Sequence, residues 1–254
     1  MSKLPPGWAS ADFGDLMAPE PNSLTDGPFG SKLKTAHYVS AGPRVIRLGN
    51  IGIGEFLGND EARIAQDHYE MLLKHRVFPG DLLIAGLAEP VGRCCLAPRD
   101  IGDAIVKADC FRAKPHPELT NAYLMHYLNS PQGREALEAH SHGLGRLRIN
   151  MRDLRAVPVP VAPAAEQRRI VAKLESLFQR TRRARDEMRR IVEINGSTAR
   201  EIGLLGNLER AILAKGFCGE LAPQDPNDEP ASVLLERIRD ECLLTDKPKR
   251  KRQN

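Results

Sequence analysis

The sequence predicts an α+β (mixed α/β) domain in the first 160 residues, followed by a long α-helical coiled coil. Short apolar segments alternate with turns rich in glycine and proline up to residue 160. Proline is then absent between Pro163 and Pro223, and a heptad pattern of apolar residues runs through that stretch. We therefore expect three parts, spanning residues 1–160, 161–215 and 216–254.

The first part has the pattern of a compact domain. Residues 44–48, 81–85 and 104–106 are strand-length apolar runs bounded by turns. Two segments, 61–75 and 121–140, have helical spacing instead. Many short strands with two or three helices predict an α+β architecture. Cys94 and Cys95 are interpreted as a buried strand pair.

The second part predicts a helix with one apolar face. Alternating steps of four and three from Ile170 give thirteen positions, nine of them apolar. The predicted seam comprises Ile170, Leu174, Leu177, Met188, Ile191, Ile202, Leu205 and Ile212. A continuous helix over 164–213 would be about 75 Å long. Asn195 and three nearby glycines leave open a break between 195 and 206. An apolar stripe must pair with another helix, from a second copy or from a different protein.

The third part begins with helix stop signals. Gly216 and Gly219 precede a loop rich in proline and aspartate at 222–230, and a last short helix follows from Ser232. Residues 247–252 form a basic tail, which we expect to be disordered rather than bound to nucleic acid.

Charge and motifs exclude several classes of protein. Residues 1–160 and 214–254 are each net neutral, so the formal charge of +4 belongs to residues 161–213. No apolar run is long enough to cross a membrane and the start lacks a signal-peptide pattern, so we expect a cytoplasmic protein. The five cysteines form no CxxC and are expected to be reduced thiols. Loops for ATP or dinucleotides, HExxH and GxSxG are all absent, so we predict no catalytic residue and no metal site.

Several segments together resemble the specificity (S) subunits of type I restriction-modification enzymes. The most specific is INMRDLRAVPVPVAPAAEQRRIVAKLESLF at 149–178. The others are LPPGWASADFGDL (4–16), DGPFGSKLK (26–34), FPGDLLIAG with VGRCCLAP (78–98), LERAILAKGFCGELAP (208–223) and ASVLLERIR (231–239). The resemblance covers nearly the whole chain.

The resemblance implies a division of labour. The globular part would be a target-recognition domain that binds one half of a split sequence in double-stranded DNA. The helical region would dock methyltransferase (M) subunits, and restriction (R) subunits could join them. The chain would be non-catalytic and hold no cofactor, since S-adenosylmethionine, ATP and Mg²⁺ would be bound by partner subunits.

The chain departs from the family in size, with one recognition domain and one helical region where typical members have two. It is either a half-size subunit that pairs with a second copy, a remnant, or one of a split pair. The seam favours a homodimer, which would suit a palindromic split site. The alternative function is a structural or inhibitory half-subunit that pairs through its coiled coil with an intact specificity subunit and does not recognise DNA.

Lys and Arg side chains in loops are the expected DNA ligands, because phosphates supply most of the affinity. Glycine-rich loops place Lys32, Lys34, Arg146 and Arg148 first, with Arg93 and His142 as further candidates. The alternative for each is a solvated surface charge. The arginines at 180–190 are expected on the solvated flanks of the helix or against acidic partner surfaces.

Overall fold

The computed structural model describes residues 4–87, 89–143, 146–195 and 199–245, with the backbone alone at 189, 191–195 and 199–203. The strands are β1 (Ala9–Asp12), β2 (Leu24–Asp26), β3 (Tyr38–Ile46), β4 (Arg63–Ile64), β5 (Leu82–Ala85), β6 (Cys94–Leu96), β7 (Ala104–Val106), β8 (Cys110–Ala113) and β9 (Pro158–Val161). The helices are α1 (Gln66–Met71), α2 (Asn121–Asn129), α3 (Pro131–Ala139), α4 (Met151–Arg155), α5 (Ala164–Asn195), α6 (Ala199–Gly216) and α7 (Ala231–Thr245).

Three small sheets form the first part of the chain. The largest is antiparallel, in the order β2-β8-β5-β6, and the second has the order β4-β3-β7, with β3 and β7 parallel. Strand β5 is central and wholly buried. Because side chains alternate across a strand, Leu82 and Ile84 enter one apolar cluster, and Leu83 and Ala85 enter another. The strands predicted at 44–48, 81–85 and 104–106 and the buried Cys94–Cys95 pair are confirmed.

The third sheet joins the two ends of this domain. Strand β9 pairs antiparallel with β1, with Pro160 opposite Ser10 and Pro158 opposite Asp12. Two buried tyrosines of α2 hold the strand: the Tyr123 hydroxyl donates to the Pro160 carbonyl at 2.7 Å, and the Tyr127 hydroxyl to the Pro158 carbonyl at 2.6 Å. The alternating prolines therefore form a paired strand immediately before α5.

The helix predicted over 121–140 is instead two helices. Helix α2 ends at Asn129, and α3 begins at Pro131 with the Ser130 hydroxyl accepting from the Gly133 N–H at 3.0 Å. A proline in the first helical position and a serine cap are normal helix-start signals. The Ser-Pro pair was therefore a visible sign of the break.

The heptad segment is a helical hairpin: of the two possibilities that the sequence left open, a continuous helix over 164–213 is wrong and a break between 195 and 206 is confirmed. Helix α5 ends at Asn195, and α6 begins at Ala199. The two run antiparallel: the Thr181 hydroxyl donates to the Glu209 carboxylate at 2.8 Å, and Leu174 and Ile170 pack near Gly216. Much of the apolar face is thus covered within the chain, which a period of 3.5 residues cannot reveal.

The segment after the hairpin returns to the start of the domain. Leu234 and Ile238 of α7 are buried in the same apolar cluster as Trp8 and Phe13. The Ala231 N–H donates to the Gly7 carbonyl at 2.8 Å, and Arg237 pairs with Glu118 at 2.6 Å. None of the described helices is long and apolar enough to cross a membrane. The basic tail at 247–252 lies outside the described residues.

Candidate nucleic-acid interface

Three segments distant in sequence meet on one surface of the domain. They are the turn that follows β2, the short 3-10 turn Leu73–His75, and the loop that precedes α4. Their exposed cations are called here the basic loop cluster, which consists of Lys32, Lys34, Lys74, Arg146 and Arg148.

His75 ties the first two segments together. Its Nδ1 contacts the Asp26 carbonyl, and its side chain is buried. Burial lowers the pKa of His75, and the positive charges of Lys74 and Lys32 lower it further. His68 adds a second link, since its Nε2 lies 2.7 Å from the Lys32 carbonyl oxygen. Lys32 and Lys74 are therefore neighbours in space.

Arg148 brings in the third segment. Its backbone pairs with that of His142 through two hydrogen bonds of 2.8 Å. Its guanidinium forms an ion pair with Asp109 at 2.6 Å and lies 5.8 Å from the centre of the Phe29 ring. The loop is anchored by the Ile149 N–H, which donates to the Gly86 carbonyl at 2.9 Å. The cation at 148 is thus held in a fixed position beside the turn that carries Lys32.

The other two candidates are engaged within the chain. Arg93 donates to the Ile51 carbonyl at 2.5 Å and to the Leu48 carbonyl at 2.8 Å, and so supports the loop at 48–51. His142 is exposed, and its Nε2 lies 2.8 Å from an Asp153 carboxylate oxygen. Arg146 and Lys34 are exposed.

Two residues of this surface were not predicted from sequence. Lys74 lies in a segment that had a helical pattern, and no local signal marks it as part of a binding surface. Phe29 is 47% exposed, although it follows the buried Gly27 and Pro28. An exposed aromatic residue inside a glycine-proline turn was the signal that could have identified it.

A second feature is a groove between α2, α3 and the helical hairpin. Its volume is about 680 Å³, and His126, Phe178, Arg182 and Arg185 line it. The His126 ring lies 5.6 Å from that of Phe178. Burial, with a smaller effect of Arg182, lowers the pKa of His126 to about 4. Arg185 pairs with Glu209 at 2.9 Å. Among the described side chains of the arginines at 180–190, Arg182 and Arg185 therefore line this groove, and the others are exposed.

The predicted seam residues fall into three groups. Ile170 and Leu174 are buried in the chain's own core. Partly buried positions are Leu177, Met188, Leu205 and Ile212. The side chains of Ile191 and Ile202 lie outside the described part of the structure. Within the described ranges, no group of three or more His, Cys, Asp or Glu side chains is placed to hold a metal ion.

The chain is similar in sequence to one family of known proteins. Residues 51–188, more than half of the chain, match the family described as type I restriction modification DNA specificity domain. The chain is 28% identical over 211 residues to the specificity subunit of the type I restriction enzyme EcoBI from Escherichia coli, covering 80% of this chain and 42% of that protein. It is also 28% identical over 213 residues to the EcoKI specificity subunit from Escherichia coli strain K12, covering 79% and 44%.

The fold has a counterpart among solved structures. A chain from a structure of type I R-M system assembly aligns with a TM-score of 0.51 and 23% identity, covering 87% of this chain and 48% of that one. The chain spans less than half the length of the curated relatives it matches.

Proposed function

This chain belongs to the type I restriction modification DNA specificity domain family, and on that basis we propose that it recognises one half of a split DNA target for a type I restriction-modification complex. Residues 1–160 act as the target-recognition domain. Residues 161–215 form the helical region that docks the methyltransferase subunits, and through them the restriction subunits. Within the third part, residues 216–254, helix α7 packs on the start of the domain.

The basic loop cluster is the observation that carries this proposal. The domain is net neutral over residues 1–160, so binding to a polyanion requires its cations to be concentrated on one surface. Loops near residues 32, 74 and 148 supply such a surface, and the acidic groups that interact with Lys74 or Arg148 there are Asp26 and Asp109. Phosphate contacts would fix the register of the domain on DNA, and neighbouring side chains would contact base edges.

We propose that the chain acts as a homodimer through the outer part of the hairpin. Ile170 and Leu174 are buried within the chain, so they cannot form the contact. Helix α6 instead exposes Leu204 and Leu208, which are 61% and 48% exposed. Pairing of these faces would place two identical recognition domains about a two-fold axis and match a palindromic split site.

The alternative function remains a half-subunit that pairs with an intact specificity subunit and does not bind DNA. The exposed leucines of α6 favour it as much as they favour a homodimer, whereas the basic loop cluster favours DNA recognition. In either case we propose that the chain is non-catalytic and cytoplasmic, and that S-adenosylmethionine, ATP and Mg²⁺ are bound by partner subunits.

Selection of duplexes from a random pool tests DNA recognition directly. The full chain, alone and with a methyltransferase subunit, is expected to enrich a sequence with a defined half-site. Absence of any enriched sequence in both arms would contradict the recognition role and leave the alternative. Solution mass tests the dimer: the chain should be dimeric at micromolar concentration and monomeric after Leu204→Glu with Leu208→Glu. An unchanged mass would contradict the α6 contact.

A further inference from the structure

Phe29 is presented to solvent from a rigid turn. The turn leaves β2, whose Asp26 pairs with Phe111 of β8. A Cβ atom at Gly27 would overlap the backbone carbonyl of Lys107, so the chain lies flat against that segment. Pro28 is buried, and Phe29 then projects with 47% of its surface exposed. The backbone on either side therefore leaves the ring little freedom to fold inward.

Arg148 covers one side of the Phe29 ring. Its guanidinium carbon lies 5.8 Å from the ring centre, a cation-π distance, and Asp109 holds the guanidinium at 2.6 Å. Full insertion of the ring between base pairs would require this contact to be given up. With the Arg148 contact kept, Phe29 still has 47% of its surface exposed, which suits contact with the surface of a groove.

Two lysines lie near the turn that carries Phe29. Lys32 follows three residues later in the exposed turn Gly30–Lys32, and Lys74 is close to Asp26, the residue at the start of the turn. These nearby cations can bind phosphates and so hold the Phe29 ring against a groove of the duplex. Thymine is the base that presents an apolar group, its C5-methyl, at the major-groove edge.

We propose, on the basis of the proposed DNA recognition, that Phe29 is a specificity-determining residue that contacts the C5-methyl group of one thymine in each half-site. Arg148 is a positioning residue: it stacks on the ring and is itself held by Asp109. The contact is apolar, so it distinguishes thymine from the other bases without a hydrogen bond.

Replacement of thymine by uracil tests the contact, because it removes the methyl group and leaves base pairing intact. Each thymine of the enriched duplex is replaced singly by dU, and the affinity of the full chain is measured. We expect one position per half-site to lose about fourfold in affinity, the value for one buried methyl-sized group. Phe29→Ala should bind the dT and dU duplexes equally, and Phe29→Leu should keep part of the difference.

Two further variants separate the contact from general effects. Val233→Ala, at a 38% exposed position on α7, should keep the full dU penalty. Arg148→Ala should weaken binding to all duplexes and reduce the dU penalty. A dU penalty that persists unchanged in Phe29→Ala, or its absence at every position in the unmodified chain, would overturn this inference and leave DNA recognition standing. If no duplex is enriched at all, the proposed function fails and this inference fails with it.

Discussion

Protonation of His126 should destabilise the folded chain, because the helical hairpin buries it against the domain. The side chain is 6% exposed, its Nε2 has no hydrogen-bond partner among the described residues, and Phe178 of α5 covers its ring. Burial first, and the charge of Arg182 second, lower its pKa from 6.5 to about 4. The folded state therefore binds fewer protons than the unfolded state between those two pH values.

The direction and size of the change in stability with pH follow from that pKa shift. The contribution of neutral His126 to stability is fully present above pH 6.5 and is lost as the pH falls toward 4. A shift of that size corresponds to about 3 kcal/mol in total, of which about 2 kcal/mol is lost by pH 5. Buried Asp81 acts in the opposite direction, because burial raises its pKa to about 6 and acid therefore favours its folded form.

A comparison of variants isolates the histidine. Urea unfolding at pH 8 and pH 5 should show that the unmodified chain loses about 2 kcal/mol more than His126→Phe, since Asp81 is present in both and cancels. Arg182→Gln should show an intermediate loss. Equal losses in the unmodified chain and His126→Phe would mean that His126 is solvated, and would refute the packing of the hairpin on α2.

Three further predictions test the packing. Leu174→Ala should lower the free energy of unfolding by about 2–5 kcal/mol in urea, whereas Leu243→Ala, at a 63% exposed position on α7, should change it by less than about 0.5 kcal/mol; equal effects would contradict the burial of the inner hairpin. Gly133→Ala should lower the free energy of unfolding by about 1–3 kcal/mol and lower the Tm, because the added Cβ would overlap the Tyr127 carbonyl. An unchanged Tm would contradict that contact. Trp8→Phe removes the indole N–H that donates to Glu166 at 3.0 Å, so it should lower the free energy of unfolding by about 1–3 kcal/mol. Urea unfolding followed by circular dichroism measures this change, and an unchanged free energy would contradict the hydrogen bond.

The sequence predicted those strands and helices that depend on a local pattern of apolar residues. The apolar run 81–85 became the central strand because both of its faces are covered, and such strands are apolar throughout. The helical period from Ile170 to Ile212 was also correct. What covers that apolar face depends on how the chain reverses between α5 and α6, and a heptad pattern is the same whether its partner is another chain or the same one.

In the candidate site, too, local sequence pattern points to some residues, and only the fold brings in others. Glycine-rich loops made Lys32, Lys34, Arg146 and Arg148 candidates, because such loops are recognisable locally, and their contact with DNA stays a prediction. Lys74 lies near Lys32 only because of the fold, since the adjacent buried residue His75 contacts Asp26 at the end of β2. Arg93 also follows a glycine, but its donors are directed at the carbonyls of Leu48 and Ile51.

The salt dependence of DNA binding tests the central claim most directly. For the enriched duplex, the slope of log K against log salt falls by about 0.9 for each phosphate that the protein no longer neutralises. The triple substitution of Lys32, Lys34 and Lys74, the three exposed lysines of the basic loop cluster, by Ala should therefore reduce the slope by about 2.7. The matched substitution of Lys173, Arg180 and Arg183, three exposed cations of α5, should leave it unchanged. Equal slopes for the unmodified chain and the cluster variant would contradict the assignment of this surface to DNA.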